Sequence, residues 1–504
     1  MNKIKLVLVC FLIIYFSSVF AQSKVKRKPN VIFILADDLG WRDVTYMGSK
    51  YYQTPNIDAL AKEGVVLTNA YAAAPLCSAS RASIMTGLYP AKTGILDAGC
   101  HVKDVRLYAS VRESESPKAK VLPVVSATRL KLDYYTLGKA FRDAGYFTAH
   151  IGKWHLGWPP YDALHQGFEI DIPHTGESGP TPNGWFYPFP VWPGHGKPGD
   201  NLEDDMAGQA VKFIKSHKDK PFLLDYWAFS VHAPWNAKQS LIDKYAKLAD
   251  PNDPQHNPVY AAMIETLDDA VGRIMKTLKE EGLADNTIII FTSDNGGVTW
   301  GEKTYIPDPY KGIPITSNAP LRGGKATTYN GGVRVPFIAV WPGHIKPGSV
   351  NDSSIIDGVD IYPTLMNMCG IQPKQGIDYD GVNVLPALEN KPFKHGPIFI
   401  HFPLYIKLTH QIPATAVIDG NWKLIRYYYD SNDHADKFAL YNLKDDIGEK
   451  TNLASKMPDK VKQLNKLITG FLNNSGAVLP RPNPKYNSSF NVRLKNNEIN
   501  ENKH

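Results

Sequence analysis

Four nearly continuous apolar runs set the tightest limit on what this chain can fold into. Val31 to Ala36 runs into Asp37-Asp38, and Phe147 to Ile151 runs into Gly152-Lys153-Trp154-His155. Phe222 to Phe229 leads to Ser230-Val231-His232, and Thr287 to Thr292 leads to Ser293-Asp294-Asn295. Such runs fit strands buried on both faces, as in a parallel sheet, and not the alternation of a sheet with one wet face. Helical spacing fills the intervals, over Asn56 to Glu63, Leu137 to Ala144, Glu203 to Ser216 and Val259 to Glu281. Strands alternating with helices predict an α/β sandwich. Ligands of such sheets bind at the carboxyl ends of the strands, so the polar groups ending each run are expected on one edge.

Past about residue 390 the pattern changes to short strands, Ala414 to Ile418, Trp422 to Tyr428 and Phe438 to Tyr441, followed by an amphipathic helix from about Asp459 to Leu472. This predicts a small antiparallel sheet with one helix. At the other end, Lys3 and Lys5, the apolar stretch Leu6 to Phe16 and Val19-Phe20-Ala21 form a secretory signal pattern. The expected organisation is a signal peptide at 1–21, a main domain over 22–390, a C-terminal subdomain over 391–483 and a mobile tail over 484–504. Export to the periplasm or exterior follows from the signal, and no later segment is long and apolar enough to span a bilayer.

The formal charge is +7, with 56 basic and 49 acidic residues scattered along the chain. Scattered charge of this size argues against a nucleic-acid partner and is compatible with an anionic small molecule or polysaccharide. Signal cleavage would remove Cys10 and leave Cys77, Cys100 and Cys369. Cys100 and Cys369 either pair or remain buried thiols, and Cys77 stands in the more informative setting.

Asp37-Asp38 and Asp294-Asn295 supply oxygen ligands at strand ends, a donor set for Ca²⁺ or Mg²⁺ and not for zinc. Either pair alone reads as a turn or cap; two pairs at strand ends favour a metal site. Cys77 begins a stretch of small hydroxyl residues and Arg81 that can open a helix. A thiol at a helix N-terminus beside an Arg is expected to be acidified and to face an anion pocket.

Cys77-Ser-Ala-Ser-Arg81, followed by Ala-Ser-Ile-Met-Thr-Gly-Leu-Tyr-Pro90, resembles the activation motif of the formylglycine-dependent sulfatases. The resemblance extends over Asn30 to Gly40, Gly152 to Gly157, Ser230 to Pro234, Ser293 to Gly297, Gly324-Lys325 and Gly331 to Pro336. It continues into Asp419 to Leu424 and Leu440 to Asp445. Two positions depart from the family pattern: Ala79 stands where Pro is usual, and Asn330 where Glu often precedes Gly-Gly.

The resemblance implies an alkaline-phosphatase-like α/β sandwich, with a large mixed, mostly parallel sheet flanked by helices, plus the small C-terminal subdomain. It also implies sulfate-ester hydrolysis through Cys77, which a formylglycine-generating maturation enzyme converts. One Ca²⁺ would be held by Asp37, Asp38, Asp294, Asn295 and the converted Cys77. Arg81 and Lys153 would hold the nucleophile, Lys325 the sulfate, His232 would be the general acid and His155 the base. His101, His174, His195 and His401 are left as candidate substrate contacts.

Trp158 to Pro198 is dense in aromatics, either a stacking platform for sugar rings or a loop packing on its own domain. An insertion from Asp97 to about Leu132 carries Lys103, Arg106, Arg112, Lys118 and Lys120, which either meet further sulfates or stay solvated. Together they point to a sulfated oligo- or polysaccharide, with carrageenan one instance. The competing readings are a phosphatase or phosphonate hydrolase of the same superfamily and a non-catalytic glycan-binding protein.

Overall fold

The structure, a computed structural model, describes residues 27–180 and 184–487. The expected signal peptide, with Cys10, and all but four residues of the expected tail lie outside the described residues. An eight-stranded sheet forms the centre. Its strands are β1 (Asn30–Ala36), β2 (Val65–Leu67), β3 (Phe147–Gly152), β4 (Ile170–Ile172), β5 (Phe222–Trp227), β6 (Thr287–Ser293), β7 (Phe337–Val340) and β8 (Ser349–Asn351). They lie in the order β8-β2-β7-β6-β1-β5-β3-β4. Only β7 runs against its neighbours, so the sheet is mixed and mostly parallel.

The long strands are apolar throughout because both faces are covered. In β1, Ile32, Ile34 and Ala36 pack into one core layer, while Val31, Phe33 and Leu35 pack into the other. All six are fully buried, each large side chain contributing roughly 1.5–3 kcal/mol relative to exposure. Helices α1 (Pro55–Glu63), α4 (Leu202–Ser216), α5 (Gln239–Leu248) and α6 (Pro258–Glu280) cover the first face. The second is covered by α2 (Cys77–Thr86), α3 (Leu137–Asp143) and α7 (Ile361–Met368). Among the described residues no helix is long and apolar enough to cross a membrane.

Register places the site. Ala36 is level with Ser293, Leu35 with Trp227, and Trp227 with Gly152. The carboxyl ends of β1, β3, β5 and β6 are therefore adjacent, and the polar residues that follow them share one edge of the sheet.

The C-terminal sheet is an antiparallel meander of β9 (Ile398–Phe402), β10 (Ala414–Asp419), β11 (Trp422–Tyr427) and β12 (Lys437–Asn442). One face packs on helix α8 (Pro458–Ser475) through Val417, Leu424 and Leu440. The other packs on Tyr71 and Val333 of the main body. Fully buried Lys423 on β11 reaches across this second contact. Its Nζ lies 2.8 Å from Glu449 and donates to Asn330 Oδ1 at 2.9 Å. Glu449 also accepts the Asn330 backbone N–H at 2.7 Å. Lys423→Met should destabilise the protein by about 3–5 kcal/mol, because it leaves a buried carboxylate unpaired. Urea unfolding measures this, and a loss under about 1 kcal/mol would show the pair to be dispensable.

Asp360, at the start of α7, accepts a hydrogen bond from His395 Nε2 at 2.9 Å. Burial lowers the His395 pKa, but Asp360 outweighs it and the net value rises from 6.5 to about 9. The pair's stabilisation is therefore complete below pH 6.5 and lost as pH rises through about 9. Burial and Asp360 push Asp357 up from 3.8 to about 7, so stability also falls with rising pH across that lower window. In His395→Gln the decline between pH 6.5 and 9, roughly 3 kcal/mol, should vanish from a melting-temperature series.

Candidate active site

Chain reversal at the end of β1 turns two consecutive carboxylates inward. Asp38 takes φ +65°, a left-handed conformation that Asp tolerates better than most side chains. Its N–H donates to Asp294 Oδ1 at 3.2 Å, tying the ends of β1 and β6 together. Asn295 Nδ2 donates to Asp38 Oδ1 at 2.7 Å. Opposite them, α2 begins at Cys77, and Ser80 Oγ folds back onto the Ala74 carbonyl at 2.9 Å to set the helix entry. The helix stops at Gly87, whose φ of +67° is costly for residues bearing a Cβ.

The ionic groups interlock. Arg81, fully buried, lies 2.9 Å (Nε) and 2.8 Å (a terminal nitrogen) from Asp294 Oδ2, and 3.7 Å from Asp37. It also sits 5.2 Å from the centre of the Trp227 ring, a cation–π contact in a desolvated setting. Lys153 Nζ reaches Asp37 Oδ2 at 2.5 Å, and Lys325 Nζ reaches Asp38 Oδ2 at 2.6 Å. His232 Nε2 is 3.7 Å from Asp38 Oδ2. Its Nδ1 faces the Ala233 carbonyl at 2.7 Å, so Nδ1 carries the proton and the neutral ring offers a bare Nε2 to the site. Cys77 Sγ meets His155 Nδ1 at 3.3 Å.

Burial pushes Asp38 up, but Lys325, His232 and Lys153 outweigh it and hold it below the usual carboxylate range. Burial and Asp37 push Asp294 up. His232 falls to about 3 through burial, Lys153 and Lys325. His155 falls well below the usual value through burial, Lys153 and His101. Burial also raises the Cys77 thiol despite Lys153 and Lys325. That corrects the sequence expectation of an acidified thiol: the helix N-terminus and Arg81 are present, but desolvation is the larger influence.

All ten site residues read from the sequence are thus brought to one edge. The donor set fits a hard cation. Ligand atoms of Asp37, Cys77 and Asp294 lie within 4.8 Å of one another, as do those of Asp37, Asp38 and His232. Asp37 Oδ1 and Asn295 Oδ1 are buried without a hydrogen-bond partner, the state expected of oxygens built to coordinate a metal ion.

Three further residues support the site, of which the sequence offered only His101, and that as a candidate substrate contact. His101 Nδ1 contacts His155 Nε2 at 3.1 Å. Ser78 Oγ donates to the His155 carbonyl at 2.9 Å. Glu203, buried in the first turn of α4, accepts the Ser230 N–H at 2.9 Å and steadies the turn leading to His232. Ser78 lies inside the Cys77 motif and was within reach; nothing local in the sequence marks Glu203.

Other expectations resolve less favourably. His401 is buried on β9 against Thr415 Oγ1 at 2.8 Å, so it is no substrate contact. His174 pairs with Asp162 at 2.9 Å, and His195 stacks on Trp192 with ring centres 4.1 Å apart. Phe168, Trp185 and Phe189 are buried in the core layers, whereas Tyr187 remains 39% exposed. In the insertion, Arg112 pairs with Glu115 at 2.9 Å and Lys120 with Asp430 at 3.2 Å. Arg106 pairs with Asp104. Cys100 and Cys369 are free, buried thiols.

A family model described as Sulfatase matches residues 29–371. The chain belongs to the sulfatase family. A second model, N-sulphoglucosamine sulphohydrolase, C-terminal, matches residues 324–474. A sulfatase of Formosa agariphila is 29% identical, covering 91% of this chain and 92% of that protein. Human N-acetylgalactosamine-6-sulfatase is 31% identical over 75% of this chain and 69% of its own length. The crystal structure of Ps i-CgsB in complex with k-i-k-neocarrahexaose superposes with a TM-score of 0.69 at 26% identity, covering 93% of this chain and 97% of that one. This sulfatase is a sulfuric ester hydrolase, and its layered sheet and C-terminal meander are those of the alkaline-phosphatase-like superfamily.

Proposed function

We propose that this sulfatase removes sulfate from a sulfated oligo- or polysaccharide, using Cys77 converted to formylglycine and one Ca²⁺ held by Asp37, Asp38, Asp294 and Asn295, with converted residue 77 also facing the ion. The observation that carries the reading is the meeting of Cys77 with three carboxylates and two unpartnered oxygens, ringed by Arg81, Lys153 and Lys325. When present, the modified residue and the cation supply a hydroxyl nucleophile and positive charge beside it.

The chain's own residues do the remainder. Arg81 and Lys153 fix Asp294 and Asp37 and offset their charge. Lys325 directs an ammonium at the sulfate position, where negative charge builds in the transition state. The incoming sulfate opposes the cations that depress His232, letting its Nε2 carry a proton to the departing sugar oxygen. His155, with Nδ1 beside residue 77, accepts the proton of the second hydroxyl when sulfate is expelled.

The human relative's N-acetylgalactosamine-6-sulfate specificity and the neocarrahexaose held by Ps i-CgsB both support a sulfated glycan, the latter a galactan such as carrageenan. The leader pattern at 1–21 supports export to the periplasm or exterior, and the Cys77 motif supports a formylglycine-generating partner enzyme. Mass spectrometry of the Cys77 peptide from the native host should show the aldehyde in place of the thiol. Matched sugar sulfates and phosphates should be turned over with sulfate strongly preferred. A thiol in every molecule, or higher kcat/KM on the phosphate, would overturn the proposal.

A further inference from the structure

We propose that Trp227 is a positioning residue whose indole braces Arg81, keeping the guanidinium off Asp37 so that Asp37 Oδ1 stays free for a cation. The part concerning Ca²⁺ rests on the function proposed above; the placement of Arg81 does not. Arg81 Nε donates to Asp294 Oδ2 at 2.9 Å, and Nη1 donates to the Lys153 carbonyl at 2.5 Å. Nη2 lies 2.8 Å from the same Asp294 oxygen but is not aligned to bond it, so it keeps a proton to give. Asp37 Oδ1 stands 3.7 Å from Nη2 and is buried without a hydrogen-bond partner. A buried donor and a buried carboxylate oxygen of opposite charge would ordinarily close such a gap.

The indole of Trp227 opposes that closure. The guanidinium carbon sits 5.2 Å from the ring centre, where the electron-rich face attracts a cation. In the sheet β1 lies between β6 and β5, so the anchors of Arg81, Asp294 after β6 and Trp227 at the end of β5, stand on either side of Asp37. The ring is itself fixed. It is fully buried, stacks on Trp154 with centres 6.0 Å apart, and meets His150 and Phe33 edge to face at 5.5 and 6.2 Å. The Trp227 carbonyl accepts the Lys153 N–H at 2.8 Å, so one residue steadies both the Arg81 side chain and the strand end bearing Lys153.

Packing alone does not account for an indole at this position. Trp227 Nε1 is buried without a hydrogen-bond partner, whereas a buried Trp usually satisfies its N–H. A phenyl ring would fill much of the same space without leaving that donor unpaired, but it holds a cation less strongly. Arg81 is always charged and offsets Asp294. A second carboxylate contact would take the oxygen that an ion needs; the π face attracts the guanidinium and takes none.

Tryptophan analogues of increasing ring fluorination, placed at residue 227 alone, keep nearly the same shape while weakening the attraction for a cation. Calorimetric Ca²⁺ affinity should fall stepwise through the series to about fivefold below the parent, and by about threefold in Trp227→Phe. A ring needed only for its shape would leave the affinity of the fluorinated proteins level. Turnover should fall by the same factor at limiting Ca²⁺ and return to the parent value at saturation. Crystal structures of the metal-free Trp227→Leu protein and of the most fluorinated protein should show Arg81 Nη2 within about 3 Å of Asp37 Oδ1. Level Ca²⁺ affinity across the fluorinated series, a turnover deficit that saturating Ca²⁺ leaves in place, or an unmoved Arg81 in both crystal structures would overturn the inference. A parent protein that binds no Ca²⁺, alongside a displaced Arg81 in the variants, would instead count against the proposed function alone.

Discussion

Cys77→Ala is expected to lower sulfate-ester turnover by at least about 10⁴-fold, the scale on which enzymes lose rate when a covalent nucleophile is removed. The side chain is small, and among the described residues its one polar contact is His155 at 3.3 Å. The cost to folding should therefore stay near 1 kcal/mol, and a normal melting temperature would show that chemistry and not structure was lost. Ca²⁺ should still bind, because the carboxylate and amide ligands proposed for it remain. Initial rates on a sulfated oligosaccharide, with metal analysis of the same sample, check both points. Retention of even one per cent of activity would mean that residue 77 is not the nucleophile's source.

Asp294→Asn should have the second largest effect, through two separate routes. Its carboxylate is the close partner of Arg81 and one of the proposed oxygen ligands; without it, the nearest carboxylate to Arg81 is Asp37 at 3.7 Å. A buried guanidinium left that poorly paired costs about 3–5 kcal/mol. Loss of a charged ligand should bring bound Ca²⁺ well below one per chain and cut turnover by about 10³-fold. In the parent protein Ca²⁺ should raise the melting temperature; in the variant that gain should disappear. Burial and Asp37 raise the Asp294 pKa in the metal-free protein. Ligands must be ionised to bind, so Ca²⁺ affinity should increase with pH through the acidic range. Calorimetric titration at several pH values tests the sign, and a flat profile would contradict it.

The long central strands were readable because burial on both faces leaves no polar alternation to interpret. β1, β3 and β6 begin and end within about one residue of the apolar runs. β2, β4, β7 and β8 have three or four residues each, too few to show a period, and β9 was missed for a similar reason. Asp37, Asp38, Lys153, His155, His232, Asp294 and Asn295 were legible because they lie just past strand ends, whereas Cys77 and Arg81, in a helix, and Lys325, in a loop, were legible through their motifs. The site's electrostatics were not, since the Cys77 thiol is governed by burial, a property of the folded layers. The roles of the insertion cations were not legible either. Whether Lys120 faces substrate or Asp430 depends on a contact 310 positions away in the chain.

The link among Lys423, Glu449 and Asn330 has a consequence for how such chains can be recombined. Asn330 opens the turn that leads from Lys325 back into the sheet, and Arg322, on the near side of that turn, donates to the Glu449 carbonyl at 2.8 Å. The C-terminal meander therefore braces the loop bearing Lys325. Grafting this meander onto a related catalytic body should fail unless residues 322–333 travel with it. Variation in β11 is then a route to altered turnover that leaves the active-site residues themselves untouched.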